Sequence, residues 1–337
     1  MKIFITGGTG YLGNKLIAEL SAFGNEINAI CHNPSKKKFL QFPGVNIFEG
    51  DIRDPASMKK AMQGCTHVYH VAGYARVWAK DPANYYMINV GGTKNILNAA
   101  IESGVEKVVY TSTAGVLGPS REKPVNECDK RIGKILNEYE DSKTKAENLC
   151  IEYTQKKGLN VTIVNPPRIY GPGLSSESNG LTNLIKRYLQ GKWRIIPGDG
   201  QGIGSYVYID DIIRGHILAM EKGRAGERYI LSGVNATYDE FFETLEKVSG
   251  VKKNLIKLPL TVMLFAGQLM LLSTKITGNP PLLTPKWIKK YSHNWALDCN
   301  KAINELGYSY LSLEEGLSKT IEWINENKDL QKTNFMK

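Results

Sequence analysis

Tyr139 and Lys143 stand four residues apart in the run EYEDSKTKAE (138–147), and on a helix that interval puts both side chains on one face. A phenol titrates near pH ~10 in isolation, and an adjacent ammonium favours the phenolate. The pair is therefore expected to draw the phenol toward neutrality, where it can exchange a proton with a substrate oxygen. The same interval also occurs on ordinary helix surfaces, so the spacing alone leaves both readings open. A second group lies upstream, where the apolar strand of VVYTSTAGVLG (108–118) ends in Thr111, Ser112 and Thr113. Hydroxyls at the carboxyl end of a strand can hydrogen-bond a carbonyl or alkoxide oxygen, or merely satisfy the turn. Their place ahead of the Tyr139 helix favours the first use.

These groups need a scaffold, and the first residues supply its pattern. In KIFITGGTGYLG (2–13) a short apolar strand meets Gly7, Gly8, Gly10 and Gly13, after which Leu12, Leu16, Ile17 and Leu20 recur at helical spacing. Strand, tight turn and helix let the backbone approach a pyrophosphate, with unpaired N–H groups and a positive dipole end aimed at it. Strand patterns at 26–31, 45–48, 67–71, 107–111 and 160–164 alternate with helical ones at 55–62, 85–103 and 138–156. That alternation predicts an α/β fold, a doubly wound parallel sheet with ligands at the carboxyl ends of its strands. The texture changes at PPRIYGPG (166–173) and PGDGQGIG (197–204). Residues 1–165 are expected to form the dinucleotide-binding domain, with strands at 205–209 and 228–232 returning to its sheet. Residues 166–204 and 233–325 are expected to form a smaller substrate lobe, and 325–337 is polar enough to fray.

The 337 residues carry 43 Lys and Arg against 33 Asp and Glu, a formal charge of +10. Apart from Lys36-Lys37-Lys38 the basic residues are scattered, with no interleaved aromatics, which argues against nucleic acid. Cys31, Cys65, Cys128, Cys150 and Cys299 show no ligand spacing and are expected to be free thiols. His67 and His70 fall in an alternating strand and are expected to be structural, with no metal bound. A strand starting at Ile3 leaves no room for a signal peptide, so a cytoplasmic protein is expected. Residues 258–274 are uncharged and mostly apolar. A buried helix is the preferred reading there, a wall of an apolar pocket the next, and a membrane-surface contact the least favoured.

TGGTGYLG (6–13), the Thr113 region and Tyr139-x-x-Ser142-Lys143 together resemble the extended short-chain dehydrogenase/reductases, the NAD-dependent epimerase/dehydratase superfamily. Gly50-Asp51-Ile52, His70-Val71-Ala72-Gly73, Asn89-Val90-x-Gly92-Thr93-x-Asn95, Tyr170-Gly171-Pro172-Gly173 and Val207-Tyr208-Ile209-Asp210-Asp211 extend the resemblance through nearly the whole chain. Trp78-x-x-Asp81-Pro82 and Lys301-Ala302-x-x-Glu305-Leu306-Gly307-Tyr308 are similar to the dihydroflavonol 4-reductase and 3β-hydroxysteroid dehydrogenase branch. The resemblance implies a Rossmann-type fold and a bound nicotinamide dinucleotide. By position, Gly7, Gly10 and Gly13 would hold the pyrophosphate together with Thr9, Tyr11 and Leu12. Asp51 and Ile52 would meet the adenine, His32 its ribose, and Ala72, Gly73 and Pro166 the nicotinamide side. Tyr139 would be the general acid/base, Lys143 would tune it and hold the nicotinamide ribose, and Thr113 would be the catalytic hydroxyl, with Ser112 beside it. Tyr74, Arg76 and Trp78 would wall the substrate. Arg168 stands where relatives often place a substrate-contacting Asn, and would bind a carboxylate or phosphate, or pair with a neighbouring acid.

An acidic residue at the end of the second strand selects NAD, and a nearby cation accommodates the 2′-phosphate of NADP. This chain has His32-Asn33-Pro34 there, followed by Lys36 to Lys38, so NADP is favoured over NAD. Dehydratases of the superfamily carry Thr-Asp-Glu where this chain has Thr113-Ala114-Gly115. Epimerases often place an Arg at the position of Gly204 to grip a diphosphate. The two absences point to reduction or oxidation of a small, uncharged or apolar molecule; a nucleotide-sugar epimerase with tightly bound NAD is the alternative. Relatives often dimerise through the helices of Asn89 and Tyr139, which leaves a homodimer open here.

Overall fold

The computed structural model describes residues 1–174 and 179–327, so the polar tail lies outside the described residues from 328 on. β1 (Lys2–Thr6) buries Ile3 and Ile5 on one face and Phe4 on the other, as a strand covered on both sides must. α1 (Tyr11–Ala22) begins at Gly10 with no side chain capping its first turn. β2 (Glu26–Cys31) and β3 (Val45–Glu49) lead to α2 (Pro55–Met62), which is capped by Asp54 with Pro55 at the first helical position, the preferred start of a helix. β4 (His67–His70) is followed by α3 (Ala83–Tyr86), a π-helical turn over Met87–Gly92 and α4 (Thr93–Glu102). β5 (Lys107–Thr111), α5 (Glu138–Lys157) and β6 (Val161–Asn165) complete this part. The Asn137 side chain caps α5 and Gly158, at φ +69°, ends it.

Pro166 and Pro167 carry no N–H and cannot extend a ladder. The chain leaves the sheet there as β7 (Arg168–Tyr170) and continues through α6 (Gly180–Leu189) and β8 (Ile195–Pro197). Next come β9 (Ile203–Tyr208), α7 (Ile209–Lys222), β10 (Arg228–Ile230) and β11 (Val234–Thr237). The C-terminal part comprises α8 (Tyr238–Ser249), β12 (Ile256–Leu258), α9 (Leu260–Thr277), α10 (Pro285–Ile288) and α11 (Leu313–Glu326). The main sheet has seven parallel strands in the order β3-β2-β1-β4-β5-β6-β10. It is a Rossmann-type α/β fold, and its winding reverses between β1 and β4, where a crevice opens at the carboxyl ends.

Two sequence expectations are corrected. The 205–209 strand does not return to the main sheet: β10 occupies the outer edge of β6, Arg228 opposite Ile163, and β9 instead pairs with β7 and β11 in a separate three-stranded sheet. The apolar stretch 258–274 is not a buried helix. α9 buries only Met263, Gly267 and Thr274, while Val262, Phe265, Leu269, Leu272 and Ile276 are exposed. Their spacing of three and four residues makes one continuous outer stripe. A helix apolar all round gives no sign in its composition of which face will be covered, and this one is long and apolar enough to cross a membrane by length and composition.

Phe265→Ser should therefore shift stability by less than about 0.5 kcal/mol, whereas Ile17→Ala, at a fully buried position, should cost about 2–5 kcal/mol. Urea unfolding of the two variants checks the contrast.

Candidate active site

A cleft of about 2030 Å³ opens at the reversal point. A small-molecule pocket occupies roughly 300–1,000 Å³, so this one has room for a dinucleotide and a second molecule. Gly7, Thr9, Gly10, Tyr11, Leu12 and Gly13 form one end. Gly7 adopts φ +76°, and a Cβ on it would stand 2.6 Å from the Ala72 nitrogen. A Cβ on Gly13 would overlap the Gly7 carbonyl. The uncapped N–H groups of α1 face the space that these glycines keep clear, a donor set that fits a pyrophosphate.

Farther along the wall stand His32, Lys36, Asp51, Ile52 and Arg53. The Asp51 carboxylate pairs with Arg53 and, at 3.0 Å, with His32 Nδ1. Hydrogen bonding to Arg53 holds it below the usual carboxylate range. Lys37 is engaged by Glu49, and Lys38 lies over the Phe39 ring at 5.3 Å. Of the three consecutive lysines, only Lys36 lines the cleft, because the other two have local partners.

At the reaction end, Thr113 Oγ1 accepts the Gly115 N–H at 3.2 Å, and Thr113 and the Tyr139 phenol line the same wall. Burial pushes that phenol up to about 12, against the lowering effect of Thr113 and with a further rise from Glu140. Burial brings Lys143 down to about 8, opposed by Glu147. The expectation that Lys143 draws the phenol toward neutrality is thus not met. Its ammonium donates to the Thr111 carbonyl at 2.7 Å and lies 4.3 Å over the Tyr110 ring. Ala72, Gly73 and Pro166 share this wall, and a Cβ on Gly73 would stand 3.8 Å from Lys143 Nζ. Ser112 also lines the cleft, and its buried hydroxyl has no partner among the described residues.

Of the substrate-wall residues, Trp78 lines the cleft but Tyr74 and Arg76 do not. Tyr74 is turned against the edge of Tyr85 at 5.0 Å, and Arg76 covers its ring at 5.2 Å. Arg168 lines the cleft and donates to Tyr206 Oη at 3.2 Å and Tyr238 Oη at 3.0 Å. Its hydrogen-bond and ion-pair partners among the described residues include no carboxylate. His70 is held between Thr6 and Thr93 at 2.7 and 3.0 Å, and burial lowers it to about 3, so it is a neutral imidazole bracing β1 against α4.

Two contributors went unassigned in the sequence reading. Asn89, on the π-helical turn, accepts the Tyr74 N–H at 2.7 Å and donates to Ser142 Oγ at 2.8 Å. It ties the loop after β4 to the helix that carries Tyr139, and its signal was the Asn89-x-x-Gly92-Thr93 motif. Glu140 is wholly buried and pairs with Arg131 at 3.0 Å and Lys290 at 2.6 Å. Lys290 lies over Trp287 and Trp295, and Trp287 stacks on Tyr139 at 6.4 Å. No local pattern could announce a contact between residues so far apart in the chain.

A family model described as "NAD dependent epimerase/dehydratase family" matches residues 3–232. A putative dihydroflavonol 4-reductase of Synechocystis is 28% identical over 335 residues, covering 96% of this chain and 94% of that protein. A 2-alkyl-3-oxoalkanoate reductase of Shewanella oneidensis is 27% identical, covering 94% and 84%. Among solved structures, a UDP-glucose 4-epimerase from Thermotoga maritima with UDP-glucose superposes with a TM-score of 0.81 at 25% identity, covering 98% of this chain and all of that one.

Gly13→Ala should weaken binding of NADH or NADPH by at least about 100-fold, because the added methyl overlaps the Gly7 carbonyl in a turn with no slack. Titration of their fluorescence measures it, and unfolding that stays cooperative separates the loss from misfolding.

Proposed function

The chain belongs to the NAD dependent epimerase/dehydratase family, and from that premise we propose that it works as an NADP-dependent reductase of a carbonyl group on a small, largely apolar molecule. Relatives named as reductases or dehydrogenases match along nearly the whole chain, and it is an NAD(P)-dependent oxidoreductase. The observation that carries the finer reading is that Thr113 and Tyr139 share the cleft wall, with Ala114 and Gly115 beside them. A dehydratase needs an acid and a base there, yet a Cβ on Gly115 would already press on Glu140 at 3.2 Å.

When bound, a nicotinamide dinucleotide would supply or accept the hydride at this site. Gly7, Gly10 and Gly13 with the start of α1 would hold the pyrophosphate, Asp51 and Ile52 the adenine, and Ala72, Gly73 and Pro166 the nicotinamide side. Lys143, fixed to the Thr111 carbonyl, would present its remaining N–H donors to the ribose. In reduction, Tyr139 Oη gives its proton to the carbonyl oxygen while the Thr113 hydroxyl donates to the same atom. A phenol near 12 keeps its proton across the neutral range, which suits a donor and makes it a weak base for alcohol oxidation. His32 in place of an acid, with Lys36 and Arg53 on the same wall, supports NADP over NAD. Five free thiols support a reducing, cytoplasmic setting, and a homodimer through α4 and α5 belongs to the same proposal.

Mixed with NADPH and a panel of aldehydes, ketones and UDP-sugars, the protein should consume NADPH stoichiometrically with a carbonyl; sugar interconversion without cofactor loss would establish the epimerase instead. Tyr139→Phe should lower kcat by roughly 100- to 10,000-fold while NADPH affinity stays within a few-fold. Lys143 is cationic below about 8 and neutral above, so kcat/KM for reduction should fall as pH rises through that value. A profile flat to higher pH would show that the charge is not needed. Lys36→Glu should move preference toward NADH by roughly 10-fold, and unchanged preference would remove Lys36 from phosphate recognition.

A further inference from the structure

The substrate end of the cleft holds a guanidinium with no counter-ion among the described residues. Arg168 sits opposite Tyr206 in the β7–β9 ladder, with its guanidinium 5.5 Å over the Tyr206 ring and 5.2 Å over that of Tyr238. The two phenols accept one hydrogen bond each, which orients the planar fork and leaves it without an anionic partner among the described residues. Two other cations of this region are spent differently, since Arg131 and Lys290 both bind Glu140. A charge withdrawn from water without a partner is costly, and one left so on a cleft wall is a ready receptor for an anion.

Gly204 supplies an independent observation. It lies two residues before Tyr206 on β9 and so shares its face. It is not among the glycines with positive φ, so the backbone does not require glycine there. A Cβ at 204 would fall within contact distance of Arg168 Nη1. The missing side chain is the space that the guanidinium occupies.

We propose that Arg168, seated against Gly204 and braced by Tyr206 and Tyr238, binds a carboxylate of the substrate, so that the molecule reduced is an oxo acid with an apolar body. The assignment rests on the reductase reading above and narrows its substrate class, replacing an uncharged molecule by one with a charged end. A planar fork with phenol walls matches a carboxylate in shape and charge. Arg168, Thr113 and Tyr139 line the same cleft, and the strand that carries Arg168 starts two residues after Pro166, which accepts the Ala114 N–H at 2.9 Å. The acid group and the reacting carbonyl can therefore belong to one molecule in that cleft.

The test compares NADPH oxidation with a series of oxo acids, their methyl esters and their amides. Wild-type protein should favour each acid over its ester by roughly 10- to 100-fold in kcat/KM, chiefly through KM. Arg168→Gln should collapse that preference to near one, and Gly204→Ala, which displaces the guanidinium, should reduce it in the same direction. Equal turnover of acids and esters by wild type would overturn the proposal, as would an unchanged ratio in Arg168→Gln or a preference for nucleotide-diphosphate or coenzyme A esters. If no carbonyl consumes NADPH, the reductase reading fails by itself. Calorimetry of decanoate against decanamide then still tests Arg168: selective decanoate binding that is lost in Arg168→Gln supports it, and equal binding of the two overturns it.

Discussion

Glu140, Lys143 and Glu147 lie three and four residues apart along the sheet-facing side of α5, each almost wholly withdrawn from water. Breaking such a buried pair costs about 3–5 kcal/mol, so every member of this stripe needs partners from other segments. Glu140 takes Arg131 from the preceding loop and Lys290 from the C-terminal part. Lys143 takes the end of β5. Glu147 takes Arg228 of β10 at 2.7 Å and Asn165 of β6 at 2.6 Å. Satisfying one helix thus gathers three strands, a loop and the roof of the cleft around Tyr139, which directly precedes Glu140.

The opposite wall is held by shape instead of charge. Close approach of Gly7 to Ala72 fixes the turn after β1 against the loop after β4, and Asn89 pins Tyr74 of that loop to α5. The π-helical turn that presents Asn89 is a local departure from regular helix geometry, of a kind that often marks a functional site. Between a rigid glycine turn and a helix locked by ion pairs, the reacting groups have little freedom to drift.

The parts legible in the sequence are those governed by neighbours along the chain. KIFITGGTGYLG becomes β1, turn and α1, and 55–62 and 107–111 match α2 and β5 residue for residue, since period and capping residues are local signals. Long-range choices were not legible. Whether 205–209 would join the main sheet depended on which strand reached the edge of β6 first in the topology. The exposure of Phe265 and Leu269 depended on what packs against α9, and the withdrawal of Tyr74 depended on Tyr85. The same holds for Lys143, which is held at the Thr111 carbonyl, and for Tyr139, whose phenol is raised by burial that spacing alone does not announce.

Arg168 and Gly204 claim a single volume, so neither position has a meaning of its own. A methyl at 204 would meet the far end of the arginine first and would turn the guanidinium away from its place between the two phenols. The glycine is in effect the seat of the arginine, and the direction in which that charge points is set by an atom that is missing from the neighbouring strand.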